Sequence, residues 1–236
     1  MLRASPDPQP PPGAFNVTFA LSVLTRRTLM RASGLFLAPA LAGLARADAT
    51  PKPDSSVDMA KVLQPGPLPE LSVGDAAGVP VIEYGSLTCP HCAHFAKDIW
   101  PQFKAAYVDT GKVRYIFREY SRNNLDVGAF MLARCVGDDK ALATIDLLFA
   151  EQDKWAFVDK PLDGLTSALR PTGMTRDKIE TCLKDQTKAD ALTQIGKTAD
   201  AVVKVSGTPT FVIDGKVYGG ALSLDELSAI LKPLVK

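Results

Sequence analysis

Histidine is nearly missing from this chain of 236 residues, which has two, and cysteine is sparse, with four. The histidines are His91 and His94, and the cysteines are Cys89, Cys92, Cys135 and Cys182. A structural zinc site normally takes four protein ligands, and neither a second C-x-x-C nor an H-x3-5-H segment is present to complete one. Covalent haem requires a histidine directly after the second cysteine of a C-x-x-C motif, and Ala93 stands there. Excess charge of one sign is lacking too. A net charge of +1 offers no electrostatic argument for nucleic acid or an anionic membrane. Long apolar runs are also missing: the longest stretch, about Ala32 to Ala45, is interrupted by Pro39. It falls short of the roughly 20 residues a spanning helix needs.

That stretch has another use. A basic cluster, Thr25-Arg26-Arg27-Thr28-Leu29-Met30-Arg31, precedes it, and Ala45-Arg46-Ala47 follows before Asp48. A positive segment, a short apolar segment and an A-x-A site make a cleavable secretory signal peptide. Residues 1–47 are therefore read as a signal peptide with a Pro-rich start. The paired arginines resemble a twin-arginine export signal, with Leu29 where Phe is common. Residues 1–47 hold five arginines against Asp7, so the remainder carries a net charge of −3. All four cysteines lie in it, in a compartment that permits disulfides; a bacterial periplasm is the expectation.

Residues 48–67, with Pro51, Pro53, Ser55 and Ser56, read as a flexible lead-in. A short strand is expected at Leu71–Val73 and a buried one at Val79–Tyr84. A helix then follows from His91 to about Val108, kinked at Trp100-Pro101 and ended by Gly111. Lys112–Tyr120 alternates polar and apolar residues, so a parallel βαβ unit is expected. From about residue 122 to 205 the pattern is helical throughout. Helices are expected over Leu125–Val136, Lys140–Gln152, Leu162–Leu169, Thr175–Cys182 and Thr187–Lys204. Strand signals return at Thr210–Ile213 and Lys216–Tyr218, flanking Asp214-Gly215, a hairpin turn signal. Ser223 then caps a last helix, Leu224–Leu231, with Glu226 as its capping-box partner. A helical block between two α/β halves looks inserted rather than appended.

Cys89-Pro90-His91-Cys92 sits at the junction of the buried strand and the first helix. A structural disulfide at this spacing would be strained, and this placement favours a labile redox bond. Cys89 would lie at the helix N-terminus, where free N–H groups and the helix dipole favour a thiolate. His91 adds a donor, and Pro90 suits a first turn because it has no N–H to satisfy. Cys92 would be the partner one turn further in. Two distant residues bear on the same chemistry. Glu83, inside the apolar strand, is either a buried proton acceptor for the Cys92 thiol or a solvent-facing residue. Thr208-Pro209, before a strand, is either a routine turn or part of the redox site.

At these residues the chain resembles the DsbA-like branch of the thioredoxin superfamily, in which Cys-Pro-His-Cys is typical of the oxidants. The likeness covers roughly residues 68–236. It implies an α/β, thioredoxin-like fold with an inserted helical domain, and it implies roles. Cys89 forms the mixed disulfide and Cys92 resolves it. His91 tunes the potential, and Glu83 is the buried acid. Pro209 matches the family's cis-proline, beside Thr208, which offers backbone hydrogen bonds to a substrate strand. The implied activity is a thiol–disulfide oxidoreductase that introduces disulfide bonds into exported proteins. A periplasmic reductase or isomerase of the same superfamily is the alternative. Its partners would be reduced protein substrates and a quinone-linked membrane reoxidant of DsbB type. A monomer is expected, with no metal and no cofactor beyond the Cys89–Cys92 disulfide. Cys135 and Cys182 lie outside the family's basic pattern, on separate helices. In an oxidising compartment they would form a structural disulfide; two buried free thiols are the other reading.

Overall fold

The computed structural model describes residues 50–235, so the signal-peptide reading of residues 1–47 lies outside the described residues. A six-stranded sheet runs in the order β1 (Ser55–Ser56), β6 (Lys216–Gly219), β5 (Thr210–Ile213), β3 (Val79–Gly85), β4 (Val113–Glu119) and β2 (Leu71–Val73). Its centre is β3, parallel to β4 and antiparallel to β5. Outside these lie β2 against β4, and β6 against β5. The β5–β6 turn places Asp214 and Gly215 at φ 48° and 70°. Two successive left-handed residues match the right-handed twist of the hairpin strands, which is what Asp-Gly permits.

Residues 50–67, within the stretch expected as a flexible lead-in, contain a short strand and a short helix. Strand β1 (Ser55–Ser56) pairs with β6, and the flanking Asp54 and Val57 amides donate to Val217 and Gly215 carbonyls. The Asp54 carboxylate also accepts from the Gly219 amide at 2.7 Å. An edge strand presents unpaired backbone groups, and this segment satisfies part of that edge. Helix α1 (Met59–Val62) follows, capped by Asp58, and buries Val62.

Alternation along the strands sends successive side chains to opposite faces. Ile82, Tyr84, Ile116, Val212 and Val217 form one face with Val62, Ala199 and Val203. Val81, Tyr115, Phe117, Phe211 and Ile213 form the other, against the first long helix and the inserted helices. That helix is interrupted. It starts as α2 (Pro90–His94), widens to a π-helical turn at Phe95–Ile99, resumes as α3 (Trp100–Phe103), and widens again at Lys104–Val108. Pro101 cannot donate to the carbonyl one turn back, and the wider turn before it accommodates the missing bond.

The insertion contains α4 (Asn124–Val136), α5 (Asp138–Ala150), α6 (Pro161–Ala168), α7 (Arg176–Cys182) and α8 (Gln186–Val202). Helix α9 (Leu224–Leu231) closes the chain with the Ser223–Glu226 capping box. One buried ion pair ties insertion to sheet. Arg134 Nε donates to Glu119 at 2.6 Å, with both side chains 2% exposed. The same guanidinium also reaches the Pro69 carbonyl at 2.8 Å and Asp138 at 3.0 Å. A buried charge left without partners would be costly, so this junction is satisfied from three sides.

Candidate active site

Strand β3 delivers the chain to the site at Gly85. A β-carbon there would stand 2.6 Å from the buried Phe117 ring, so any side chain would force that ring to shift. The turn Ser86-Leu87-Thr88 then leads into Cys89, the N-cap of α2, with Pro90 in the first helical turn. Cys89 N–H donates to the Ser86 carbonyl at 3.1 Å, and the Cys89 carbonyl accepts the Ala93 amide at 3.1 Å.

Two residues of the insertion hold this turn, and neither stands out in the sequence. Asp126, fully buried at the start of α4, accepts from Ser86 Oγ at 2.8 Å, Thr88 N at 2.8 Å and Thr88 Oγ1 at 3.1 Å. It also accepts from the Arg122 amide at 2.9 Å. Burial raises its pKa, and these donors offset that rise by favouring the carboxylate. From the other side Gln152 Nε2, also buried, donates to the Leu87 carbonyl at 2.7 Å and the Cys89 carbonyl at 3.0 Å. An Asn123 cap on α4, whose side chain accepts from Asp126 N, was the available signal for Asp126. Gln152 had none.

Both thiols of the pair are unbonded and buried. Cys89 Sγ donates to the Thr208 carbonyl at 3.1 Å, and the Thr208–Pro209 peptide is cis. Thr208 Oγ1 is buried without a partner in this arrangement, which leaves it free to donate to Cys89 as a thiolate. The Cys89 thiol is pulled down to about 4, first by a hydrogen bond from the Cys92 thiol. Thr208 and the backbone amides of Cys92 and His91 add to this, against the cost of burial. Cys92 goes the other way. Burial pushes it well above the ordinary thiol range, although the Ser86 amide reaches its sulfur at 3.5 Å.

Glu83 is 1% exposed, on the strand face that carries the Cys pair. Burial pushes its carboxyl up to about 8, and the charges of Asp146 and Cys89 add to the rise. A hydrogen bond from the Tyr115 hydroxyl, at 2.6 Å, opposes it. The structure thus brings Cys89, Cys92, Glu83, Thr208 and Pro209 together, while His91 lies exposed beside them. Cys135 and Cys182 are joined by a disulfide within the insertion. Among the described residues no group of three or more His, Cys, Asp or Glu side chains could hold a metal ion.

A thioredoxin family model matches residues 69–233. The structure of alpha-DsbA1 from Wolbachia pipientis superposes with a TM-score of 0.67 at 26% identity, covering 74% of this chain and 94% of that one. The chain belongs to the DsbA-like thioredoxin family. This DsbA-like chain is also 33% identical over 157 residues to a Rickettsia bellii protein that carries the name protein-disulfide oxidoreductase. That match covers 66% of the chain but 60% of the relative, so the chain spans less than two thirds of that protein's length. The oxidised BdbD structure from Bacillus subtilis shares the fold, with a TM-score of 0.61 at 18% identity, covering 75% and 95% of the two chains.

Proposed function

We propose that this DsbA-like chain is an exported thiol–disulfide oxidoreductase that introduces disulfide bonds into periplasmic proteins through Cys89 and Cys92. The observation that carries the reading is the stabilised Cys89 sulfur, facing the carbonyl of Thr208 at the head of α2. Whatever stabilises a thiolate stabilises the reduced form, and so makes the disulfide a stronger oxidant. In the oxidised protein a substrate thiolate attacks Cys89 and forms a mixed disulfide. The Cys89–Cys92 bond breaks, and Cys92 leaves as a thiolate that takes a proton from Glu83. A second substrate thiolate attacks the substrate sulfur, and Cys89 departs with its electron pair. Two substrate thiols are oxidised to one disulfide, and the Cys pair gains two electrons.

Thr208 and Pro209 would align the substrate strand against Cys89, and exposed His91 would tune the leaving sulfur. A quinone-linked membrane partner of DsbB type would restore the disulfide. Among the described residues no helix is long and apolar enough to cross a membrane. A reductase or isomerase would use the same atoms with a less favoured thiolate.

Equilibration with glutathione decides between them. An oxidant is expected to sit nearer the value of about −120 mV of DsbA than the value of about −270 mV of thioredoxin; the latter result overturns the proposal. A pH titration gives a second check. Cys89 is depressed from 9.0 to about 4, so its thiolate contributes stability to the reduced form in full above pH 9. That contribution declines as pH falls and is gone below about 4. The oxidised form has no such group. The stability of reduced over oxidised protein is therefore expected to shrink steadily from pH 9 to pH 4.

A further inference from the structure

Strand β4 contributes Val113, Tyr115 and Phe117 to the face that meets the redox helix, and all three are buried. Only Tyr115 brings a polar atom. Its backbone pairs with Val81 of β3 rather than with Glu83, so the phenol reaches its carboxyl along the diagonal of the strand pair, within reach of an aromatic side chain. The hydroxyl lies 2.6 Å from Glu83 Oε2. The ring packs at a tilt against Trp100 of α3, with centroids 4.2 Å apart and planes at 36°. A phenylalanine would keep that ring contact, so packing does not require the hydroxyl. Its partner is Glu83.

We propose that Tyr115 is a positioning residue for the proton step at Cys92. Its phenol, fixed against Trp100, donates to the buried Glu83 carboxyl and sets how readily that carboxyl exchanges a proton with Cys92. This rests on the reading of Glu83 as the proton partner of Cys92. When a mixed disulfide at Cys89 is resolved internally, the Glu83 carboxylate takes the Cys92 proton. The Cys92 thiolate then attacks the Cys89 sulfur. The Cys89–Cys92 bond forms, the bond to the bound thiol breaks, and that thiol leaves as a thiolate that is protonated by water.

The groups facing Glu83 come from three other elements. Tyr115 is on β4, Cys89 and Cys92 are at the head of α2, and Asp146 is on α5. Asp146 and Cys89 disfavour the carboxylate, as does burial, and the Tyr115 hydrogen bond is what favours it. Asp146 is itself raised to about 6 by burial, with Trp100 and Lys104 opposing, so it is charged at neutral pH. Tyr115 cannot exchange roles with Glu83. Burial and the Glu83 charge hold its own ionisation well above the ordinary range, so it remains a donor.

The experiment follows release of glutathione from its mixed disulfide with Cys89, as a function of pH, in four proteins. They are the full chain, Tyr115→Phe, Glu83→Gln and the double variant. The unaltered protein is expected to show a rate that rises with pH as Glu83 ionises; burial and Asp146 still raise that carboxyl in the mixed disulfide, where Cys89 no longer carries a charge. Losing a hydrogen bond to a charged group should move the Tyr115→Phe rise up by about one pH unit. The rate at pH 7 then falls about tenfold, while the Cys89 thiolate titrates where it did before. In the Glu83→Gln background the rise is absent, and adding Tyr115→Phe changes nothing further. A rise that stays in place in Tyr115→Phe but vanishes in Glu83→Gln overturns the role of Tyr115 and leaves that of Glu83. A rise that survives Glu83→Gln overturns both.

Discussion

Cys89 and Cys92 stand three positions apart at the head of a helix and carry free thiols, whereas Cys135 and Cys182, 47 positions apart on α4 and α7, are joined. Both pairs are built from the same side chain in the same fold. They differ in what surrounds the sulfur. Cys89 has a thiol, backbone amides and a threonine within reach, all of which favour a thiolate. The Cys182 sulfur lies 3.3 Å from the Met131 carbonyl, an acceptor that does nothing for a thiolate. Neighbouring donors, more than the cysteine itself, separate a bond built for exchange from one that closes a loop.

The largest effect that would test this contrast is on turnover. Cys89→Ser is expected to lower oxidation of a reduced peptide by at least about a thousandfold, because no other described group supplies the sulfur. Cys92→Ser, offered a peptide that already carries a disulfide, should instead accumulate a mixed disulfide: the Cys89 thiolate attacks, one peptide thiolate leaves, and no Cys92 is present to resolve the product, which is visible as a mass increase under non-reducing conditions. Replacing Cys135 and Cys182 by serine should leave turnover within about twofold. If that double variant stopped turnover, the two pairs would not be separable in the way described.

The next effect is on stability, and it falls on the other pair. A bridge that closes a loop of 47 residues removes chain entropy from the unfolded state worth about 3–4 kcal/mol. The Cys135→Ser/Cys182→Ser protein should therefore unfold at lower denaturant by that amount, with its denaturant dependence otherwise similar. Reducing Cys89–Cys92 should not destabilise the protein in the same way. Its loop is too short to carry much entropy, and the thiolate gains what the bond loses. A redox-pair reduction that cost as much as the distant bridge would remove the distinction.

Much of this was legible in the sequence because the signals were local. Apolar strands at Val79–Gly85 and Thr210–Ile213, the Asp214-Gly215 turn and the capping box at Ser223 each follow from neighbouring residues. The inserted helices followed from their period, with ends displaced by one or two residues, where caps and fraying decide. The Cys-Pro-His-Cys stretch marked itself by position. Less visible were features made by distant pairs. Strand β1 exists because β6 has an open edge, which the prolines at 51 and 53 conceal. The face that Glu83 points to depends on strand register, and one alternation step would have sent it to the opposite face. Tyr115, Asp126 and Gln152 act through the fold alone, 32, 40 and 65 residues from their partners Glu83, Ser86 and Leu87.

The smallest expected effect concerns how the insertion serves the redox turn. Gln152 donates to the Leu87 and Cys89 carbonyls. Cys89 keeps a second donor in the Ala93 amide, so truncation to alanine leaves chiefly the buried Leu87 carbonyl unpaired. A buried acceptor without a partner costs about 1–3 kcal/mol, which denaturant unfolding of Gln152→Ala should register. Removing the side chain leaves the groups that stabilise the Cys89 thiolate in place: Cys92, Thr208 and the two backbone amides. The thiolate titration of Gln152→Ala should therefore stay within about half a unit of the unaltered protein, as a loss confined to backbone support requires. A large upward movement of that titration would mean that Gln152 fixes the orientation of the helix head. The insertion would then contribute to the chemistry of the first pair as well as holding the second. Glutamate at the same position sharpens the test, since a carboxylate cannot donate to either carbonyl and adds negative charge near the sulfur. Gln152→Glu should lose at least as much stability as Gln152→Ala and raise the Cys89 titration, separating support from electrostatics in one comparison.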